Sequence, residues 1–354
     1  MKKVFVFGLI ILFLVFGGYL IFSFFYQPEL PSVNAENIIF EDGAVVLDSM
    51  TIEQKLAQMI VVRGDSGDFE FTNLSVGGIF LDRQDSEEEY RDMINEYQSS
   101  SGIKLFVSTD LEGAWTPFHD PEPHQEFPHF SDIESSDEAY DIGTRHGELL
   151  KDIGFNLNFA PVAEYADEAY GGRVFMGSKE EISNNIASYI SGLQQNVLGT
   201  CKHYPGNAMK ANLHFVSDKQ VISEDDLELF DICYENNVSS IMVSHHIVYG
   251  EVDSLGRPSS VSEGVVSSID DSVLVIADEI NMRSLSNFYS DKAELYVDLV
   301  NSGENLILDF HLSPFELYSL VGELKIKVDS GEIDSSRVDI SVRKILKLKG
   351  YEVV

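Results

Sequence analysis

"SVLVIADEINM", Ser272 to Met282, is an apolar, largely β-branched run that stops abruptly on two acids, Asp278 and Glu279. It reads as a strand with no polar face, of the kind found in parallel sheets covered by helices. A carboxylate that ends such a strand must be hydrogen-bonded or functional, because burying it unpaired is costly. The same arrangement recurs along the chain. "KLFVST" runs into Asp110 and Glu112, "GTC" into Lys202 and His203, and "SSIMVS" into His245 and His246.

With "QMIVV", "VGGIFL", "FNLNFAPV" and "NLILDF", these make eight β-rich runs. Between most of them lie segments of helical periodicity: 86–99, 136–151, 179–196, 223–236 and 291–302. Strands that alternate with helices predict a parallel sheet, since a parallel connection needs a crossover. Eight such strands predict a closed (β/α)8 barrel of the TIM type rather than an open doubly wound sheet. No G-x-G-x-x-G or phosphate-binding loop opens a helix after a strand, which argues against a nucleotide-binding fold. The last helix is expected over Ser335–Leu348, with Val338, Val342, Ile345 and Leu346 on the face that closes the barrel. In a barrel the chemistry sits at the C-terminal ends of the strands, where the polar residues collect.

The expected organisation is a membrane anchor or signal segment at 1–26, a linker at 27–48 and the barrel at 49–354. Val4 to Phe25 carries no charge and is long enough to cross roughly 30 Å of hydrocarbon as a helix. Lys2 and Lys3 precede this run and acids follow it, so a single-pass chain with its N-terminus inside and its barrel extracytoplasmic is expected. The rival is a cleaved signal and a secreted barrel, with "VNA" at Val33–Ala35 as the small-residue site. Cys201 and Cys233 are the only cysteines; they form either one disulfide or two buried thiols, and their spacing carries no zinc signature.

With 59 Asp and Glu residues against 24 Lys and Arg, the net charge of -35 excludes a nucleic-acid partner. His203, His214, His245 and His246 lack H-E-x-x-H spacing, so neither a metal nor another cofactor is expected. No G-x-S-x-G elbow offers a serine nucleophile. Carboxylate-based glycoside chemistry on an extracytoplasmic barrel fits better.

The order of motifs is similar to that of glycoside hydrolase family 3, in particular its bacterial β-N-acetylglucosaminidase branch. "MTIEQKLAQMIVV" resembles the family's opening helix and first strand, "VGGIFL" its second strand, and "VSTDLEGA" its D-Q-E-G-G loop. "GFNLNFAPVAEY" resembles G-x-N-x-N-F-A-P-V-x-D, "GRVFMGS" the R-S-F-G loop, and "CKHYPGNA" the K-H-F-P-G-H-G loop. "IMVSHHI" is similar to V-M-x-A-H, "VIADEINMRSL" to S-D-D-L-x-M, and "SVRKILKLKG" to the closing helix.

The resemblance implies a retaining hydrolase acting on terminal β-linked N-acetylglucosamine or a related sugar, from an oligosaccharide or cell-wall glycan, and working as a monomer. It places Asp278 at the nucleophile's position and Glu279 beside it in a structural role. His214 is the implied proton donor, on the loop after the fifth strand. The family pairs that histidine with an aspartate two residues earlier; here the residue is Asn212, which orients the ring without charging it, so weaker acid/base catalysis is expected. Asp110, Arg173, Lys202 and His203 fall where the family holds sugar hydroxyls, with His245 and Met282 near the pocket. The arginine expected after the D-Q-E-G-G loop is missing. "DLEGAWTPF" offers Trp115 and Phe118 instead, either to stack on a sugar or to pack in the core. These departures leave a second expectation, a catalytically weakened barrel that binds glycans.

Overall fold

The computed structural model describes residues 38–65, 67–118, 127–210 and 219–354. Eight strands form a closed, all-parallel barrel in sequential order. They are β1 (Ile60–Arg63), β2 (Gly78–Phe80), β3 (Phe106–Thr109), β4 (Leu157–Asn158), β5 (Leu198–Tyr204), β6 (Ser240–Val243), β7 (Leu274–Ala277) and β8 (Leu306–Asp309). β8 closes the ring on β1, with Ile307 opposite Ile60. All eight expected runs supply a barrel strand. Their apolar residues are buried because helices cover the barrel outside while side chains fill it inside.

The helices are α1 (Ile52–Gln58), α2 (Glu87–Ser100), α3 (Ser136–Ile153), α4 (Lys179–Leu193), α5 (Glu224–Glu235), α6 (Glu263–Val266), α7 (Arg283–Ser286), α8 (Lys292–Ser302), α9 (Pro314–Asp329) and α10 (Ser335–Leu348). Their starts are written locally. Thr51, Ser178, Ser223 and Ser313 each cap a helix, accepting from the backbone N–H three positions on and donating their own backbone N–H to that residue's side chain. α10 buries Val338, Val342, Ile345 and Leu346, the expected face. The α/β alternation is incomplete after β1, where a 3-10 segment, Phe69–Leu74, replaces a helix. Only a short, acidic, glycine-containing stretch is available there before β2.

α3 and α4 approach closely enough that a Cβ on Gly143 would lie 2.3 Å from the Tyr189 carbonyl oxygen, and one on Gly192 2.3 Å from that of Tyr140. No larger residue fits that crossing. Ahead of α1, Val45 donates to the Glu352 carbonyl at 2.8 Å and Leu47 to that of Val354 at 2.9 Å, so Ala44 to Leu47 lies along the C-terminal residues. Cys201 in β5 and Cys233 in α5, both fully buried, form a disulfide. This resolves the two alternatives left open by the sequence.

The apolar run Val4–Phe25, residues 27–37 of the linker, Asn212 and His214 lie outside the described residues. Among the described residues, no helix is long and apolar enough to cross a membrane.

Candidate active site

The polar ends of the strands converge on a cavity of about 440 Å³ at the C-terminal face of the barrel. Asp110, Arg173, Lys202, His203, Asp278 and Met282 all line it. They come from the ends of β3, β5 and β7 and from the loop after β4, so distant stretches of sequence meet in one place.

The floor is a cage of opposite charges. Lys202 Nζ lies 2.6 Å from Asp110 Oδ1 and 2.5 Å from Glu112 Oε1. The Arg173 guanidinium grips Glu112 with both Nε and Nη2, the latter at 2.7 Å from Oε1. Burial opposes the charge on Glu112, but Arg173 and Lys202 outweigh it and hold the carboxyl down at about 2. Burial likewise opposes the charge on Lys202, and Asp110 with Glu112 overcomes it, raising the amine above its ordinary value. Glu112, Arg173 and Lys202 therefore keep matched charges at neutral pH, whereas burial, against the pull of Lys202, raises the Asp110 carboxyl above its ordinary value. The Asp110 side chain is 46% exposed, so it is the member of the cage that reaches open cavity.

His203 sits beside this cage as a neutral base. Burial, reinforced by the nearby Lys202 and Arg173 charges, holds it well below the usual histidine range. Its Nδ1 lies 3.0 Å from Glu164 Oε1, and its backbone N–H donates to the same oxygen at 3.3 Å. A neutral ring that donates from Nδ1 keeps Nε2 as an acceptor.

On the opposite side, Asp278 follows β7 and is partly exposed, with Oδ1 accepting the Glu279 N–H at 2.7 Å. Glu279 Oε1 accepts from Asn281 Nδ2 at 2.5 Å, and the same Nδ2 donates to Asp309 Oδ1 at 2.9 Å. Asp309, at the end of β8, also accepts from Lys292 Nζ at 2.8 Å and from the Tyr296 hydroxyl at 3.1 Å. The turn that carries Asp278 is thus braced to its neighbouring strand. His245 is buried behind the cavity wall, donating from Nε2 to the Glu279 carbonyl oxygen at 3.1 Å, with Nδ1 2.8 Å from Ser260 Oγ. Its contact with the cavity is through the β7 turn.

The two aromatic candidates separate. Phe118 is 6% exposed and packs edge-on against Tyr90 and Phe155, a core position. Trp115 is 41% exposed and lines the cavity mouth. Tyr170 packs against it at 6.0 Å and carries the Arg173 guanidinium 5.0 Å from its ring. Burial, helped by the charges of Asp278 and Glu112 against that of Arg173, raises the Tyr170 phenol.

Glu164, Tyr170 and Asp309 are site residues that the sequence reading did not single out. Glu164 and Asp309 obey the rule applied to the others, an acid at the end of an apolar run, and were legible on that rule. Tyr170 lies in an irregular loop and leaves no periodic signal. Among the described residues, no three His, Cys, Asp or Glu side chains group as a metal site requires.

Comparison with known proteins gives the family. The family model described as "Glycosyl hydrolase family 3 N terminal domain" matches residues 51–348. The chain belongs to glycosyl hydrolase family 3. It is 24% identical over 327 residues to "Beta-hexosaminidase LpqI" of Mycobacterium tuberculosis, covering 84% of this chain and 82% of that one. To a "Beta-hexosaminidase" of Photobacterium profundum it is 23% identical over 239 residues, 62% of this chain and 71% of the other. A family 3 β-N-acetylglucosaminidase from Paenibacillus sp. shares its fold, with a TM-score of 0.76 and 23% identity over 85% of this chain. The present chain spans 62% of the length of that Paenibacillus protein.

Proposed function

We propose that this chain is a retaining glycosidase that removes terminal β-linked N-acetylglucosamine, or a closely related sugar, from glycans. The observation that carries the reading is the partly exposed Asp278 facing a cavity floored by the Asp110, Glu112, Arg173 and Lys202 cage. Membership of family 3 and likeness to proteins named β-hexosaminidases support it.

In this reading the Asp278 carboxylate attacks the anomeric carbon as the bond to the leaving oxygen breaks, and that oxygen takes up a proton. Water then cleaves the glycosyl ester and returns the carboxylate. Asp110 and the donors of Lys202 and Arg173 hold sugar hydroxyls, with His203 Nε2 as an acceptor and Met282 as apolar wall. His245 acts by holding the β7 turn. His214 remains the candidate proton donor, and Asn212, two positions earlier in the sequence, lowers its efficiency.

The barrel, 49–354, is proposed to work as a monomer outside the cytoplasm on cell-wall or similar glycans, carried by an anchor at 1–26 and a linker at 27–48. The flanking Lys2 and Lys3 support that topology, as does the Cys201–Cys233 disulfide, a bond that persists in oxidising compartments.

The test is release of nitrophenol from nitrophenyl β-N-acetylglucosaminide. Turnover is expected to fall by roughly a thousand-fold or more in Asp278→Ala. Sugar binding in calorimetry with no turnover of any β-glycoside by the intact chain sinks the enzymatic reading.

A further inference from the structure

The cavity has two unlike ends, and the outer one is unassigned. Its floor is buried and charged, suited to the hydroxyls of one sugar ring. Its mouth presents the indole of Trp115. Four restraints fix that indole. Glu112 N–H donates to the Trp115 carbonyl at 2.7 Å, Trp115 N–H returns to that of Glu112 at 3.2 Å, and Ala114 N–H donates to that of Pro128 at 2.9 Å. The fourth is Trp115 Nε1–H, donating to the Gly171 carbonyl at 2.9 Å. The turn requires Gly113, whose φ is +64° and where a Cβ would lie 2.4 Å from the Pro128 carbonyl oxygen. Tyr170 closes on the indole edge-on. The indole's one polar atom is satisfied by the protein, so its remaining exposed area is a flat apolar surface that is already ordered.

Such a surface suits the C–H face of a pyranose ring and loses little entropy on contact. Because an isolated β-bridge ties it to Glu112 across a two-residue turn, its distance from the charged floor is set by the backbone. Resting on the reading above, in which the floor takes the sugar to be released, we infer that Trp115 is a specificity-determining residue that stacks on the next sugar, the leaving group. The substrate class is then a glycan whose aglycone is itself a pyranose.

Trp115 is the only tryptophan of the chain, so its emission reports on this contact alone. The decisive experiment titrates Asp278→Asn with a β1,4-linked disaccharide of N-acetylglucosamine and, separately, with the monosaccharide, following both fluorescence and calorimetric heat. The disaccharide is expected to shift or quench the emission while the monosaccharide binds without doing so. In parallel, Trp115→Ala in the active background should lose kcat/KM on the disaccharide about ten-fold more than on N-acetylglucosaminyl fluoride, whose leaving group has no ring. Trp115→Phe should restore most of the difference, with folding of both variants checked by thermal unfolding. Calorimetric binding of the disaccharide with unmoved emission overturns the inference, as does an equal loss on both substrates. Neither outcome touches the proposed function. Absence of any binding and any turnover removes the function, and the inference with it.

Discussion

The two faces of the barrel treat buried ionisable groups in opposite ways. At the C-terminal face, Glu112 is buried between two cations, Asp309 accepts from a lysine, a tyrosine and an asparagine, and Glu164 holds a histidine. At the N-terminal face, Glu304 is fully buried at the entry to β8, and neither carboxyl oxygen has a hydrogen-bond partner among the described residues. Lys349 there donates to Gln58 Oε1 at 2.8 Å and lies over the Phe106 ring, 5.0 Å away. Burial pushes the Glu304 carboxyl well above its ordinary value and pulls the Lys349 amine well below its own, and no partner charge among the described residues opposes either shift. One face sets buried groups against opposite charges; the other gives burial nothing to oppose it. Charge that survives burial is maintained by a network, and the network is where chemistry is available.

The largest expected effect comes from breaking that match. Glu112→Gln leaves Arg173 and Lys202 buried with only Asp110 between them. It should destabilise the fold by about 3–5 kcal/mol, read by urea unfolding, and abolish turnover. A loss below about 1 kcal/mol would show that the cage is solvated and that the contrast between the faces is false.

Acid should attack the same face next. His146, packed among Phe127, Phe130 and Tyr189, is held neutral by burial and by Arg145, with its pKa lowered to about 3. His203 is depressed in the same direction. Below an unfolded value of 6.5 the unfolded chain binds protons that the folded chain refuses, so stability is lost as pH falls from there toward 3. For His146 this amounts to roughly 3 kcal/mol by about pH 4. Glu112, depressed from 4.5 to about 2, adds stability present above 4.5 and lost as pH falls through that lower window. Melting temperatures measured between pH 8 and 4 should therefore decline from about 6.5 downward, less steeply in His146→Gln. An unchanged slope in that variant would assign the loss elsewhere.

How much of this was legible follows from the length scale of each signal. The strand ending in Asp278 and Glu279 announces itself by an apolar run, and eight such runs dictate the barrel, because hydrophobic periodicity is local. Which strand ends pair is not local. Nothing in "VSTDLEGA" says that Glu112 rather than Asp110 will be clasped by Arg173, since that contact depends on how the β3 and β4 loops fold over the barrel. The split between Trp115 and Phe118 was open for the same reason: both are aromatic, three residues apart, and only the turn at Gly113 decides which faces water. The disulfide was open because pairing depends on α5 packing against β5, not on spacing. The resemblance to family 3 carried Asp278, Lys202 and Arg173 to their positions, but it had no counterpart for Trp115, where this chain departs from the pattern.

A smaller effect is expected at Asp309, whose partners are neutral or partly solvated. Asp309→Asn keeps the shape and can still accept from Asn281, but gives up the charge facing Lys292 and part of the bond from Tyr296. A cost of about 2 kcal/mol is expected, with a few-fold fall in kcat as the β7 turn loosens and little change in KM. Equal falls in both parameters, or a fall in KM binding alone, would mean that the brace does not reach Asp278.

The smallest effect should come from Glu304, and it is the sharpest test of the comparison. A buried carboxyl that makes no hydrogen bond contributes packing and incurs a desolvation cost, so its removal need not cost anything. Glu304→Gln should change stability by less than about 1 kcal/mol, since one buried polar group replaces another of the same size. Glu304→Leu removes that polar group and should leave the protein as stable or up to about 2 kcal/mol more stable, with turnover unchanged. Its melting temperature should also depend less on pH on the alkaline side, because a carboxyl held above its ordinary value favours the folded state only while it stays protonated, and that contribution fades as the unfolded chain ionises above 4.5. If Glu304→Leu instead destabilises as strongly as Glu112→Gln, then Glu304 is charged and paired in solution, and the N-terminal face holds a network of its own.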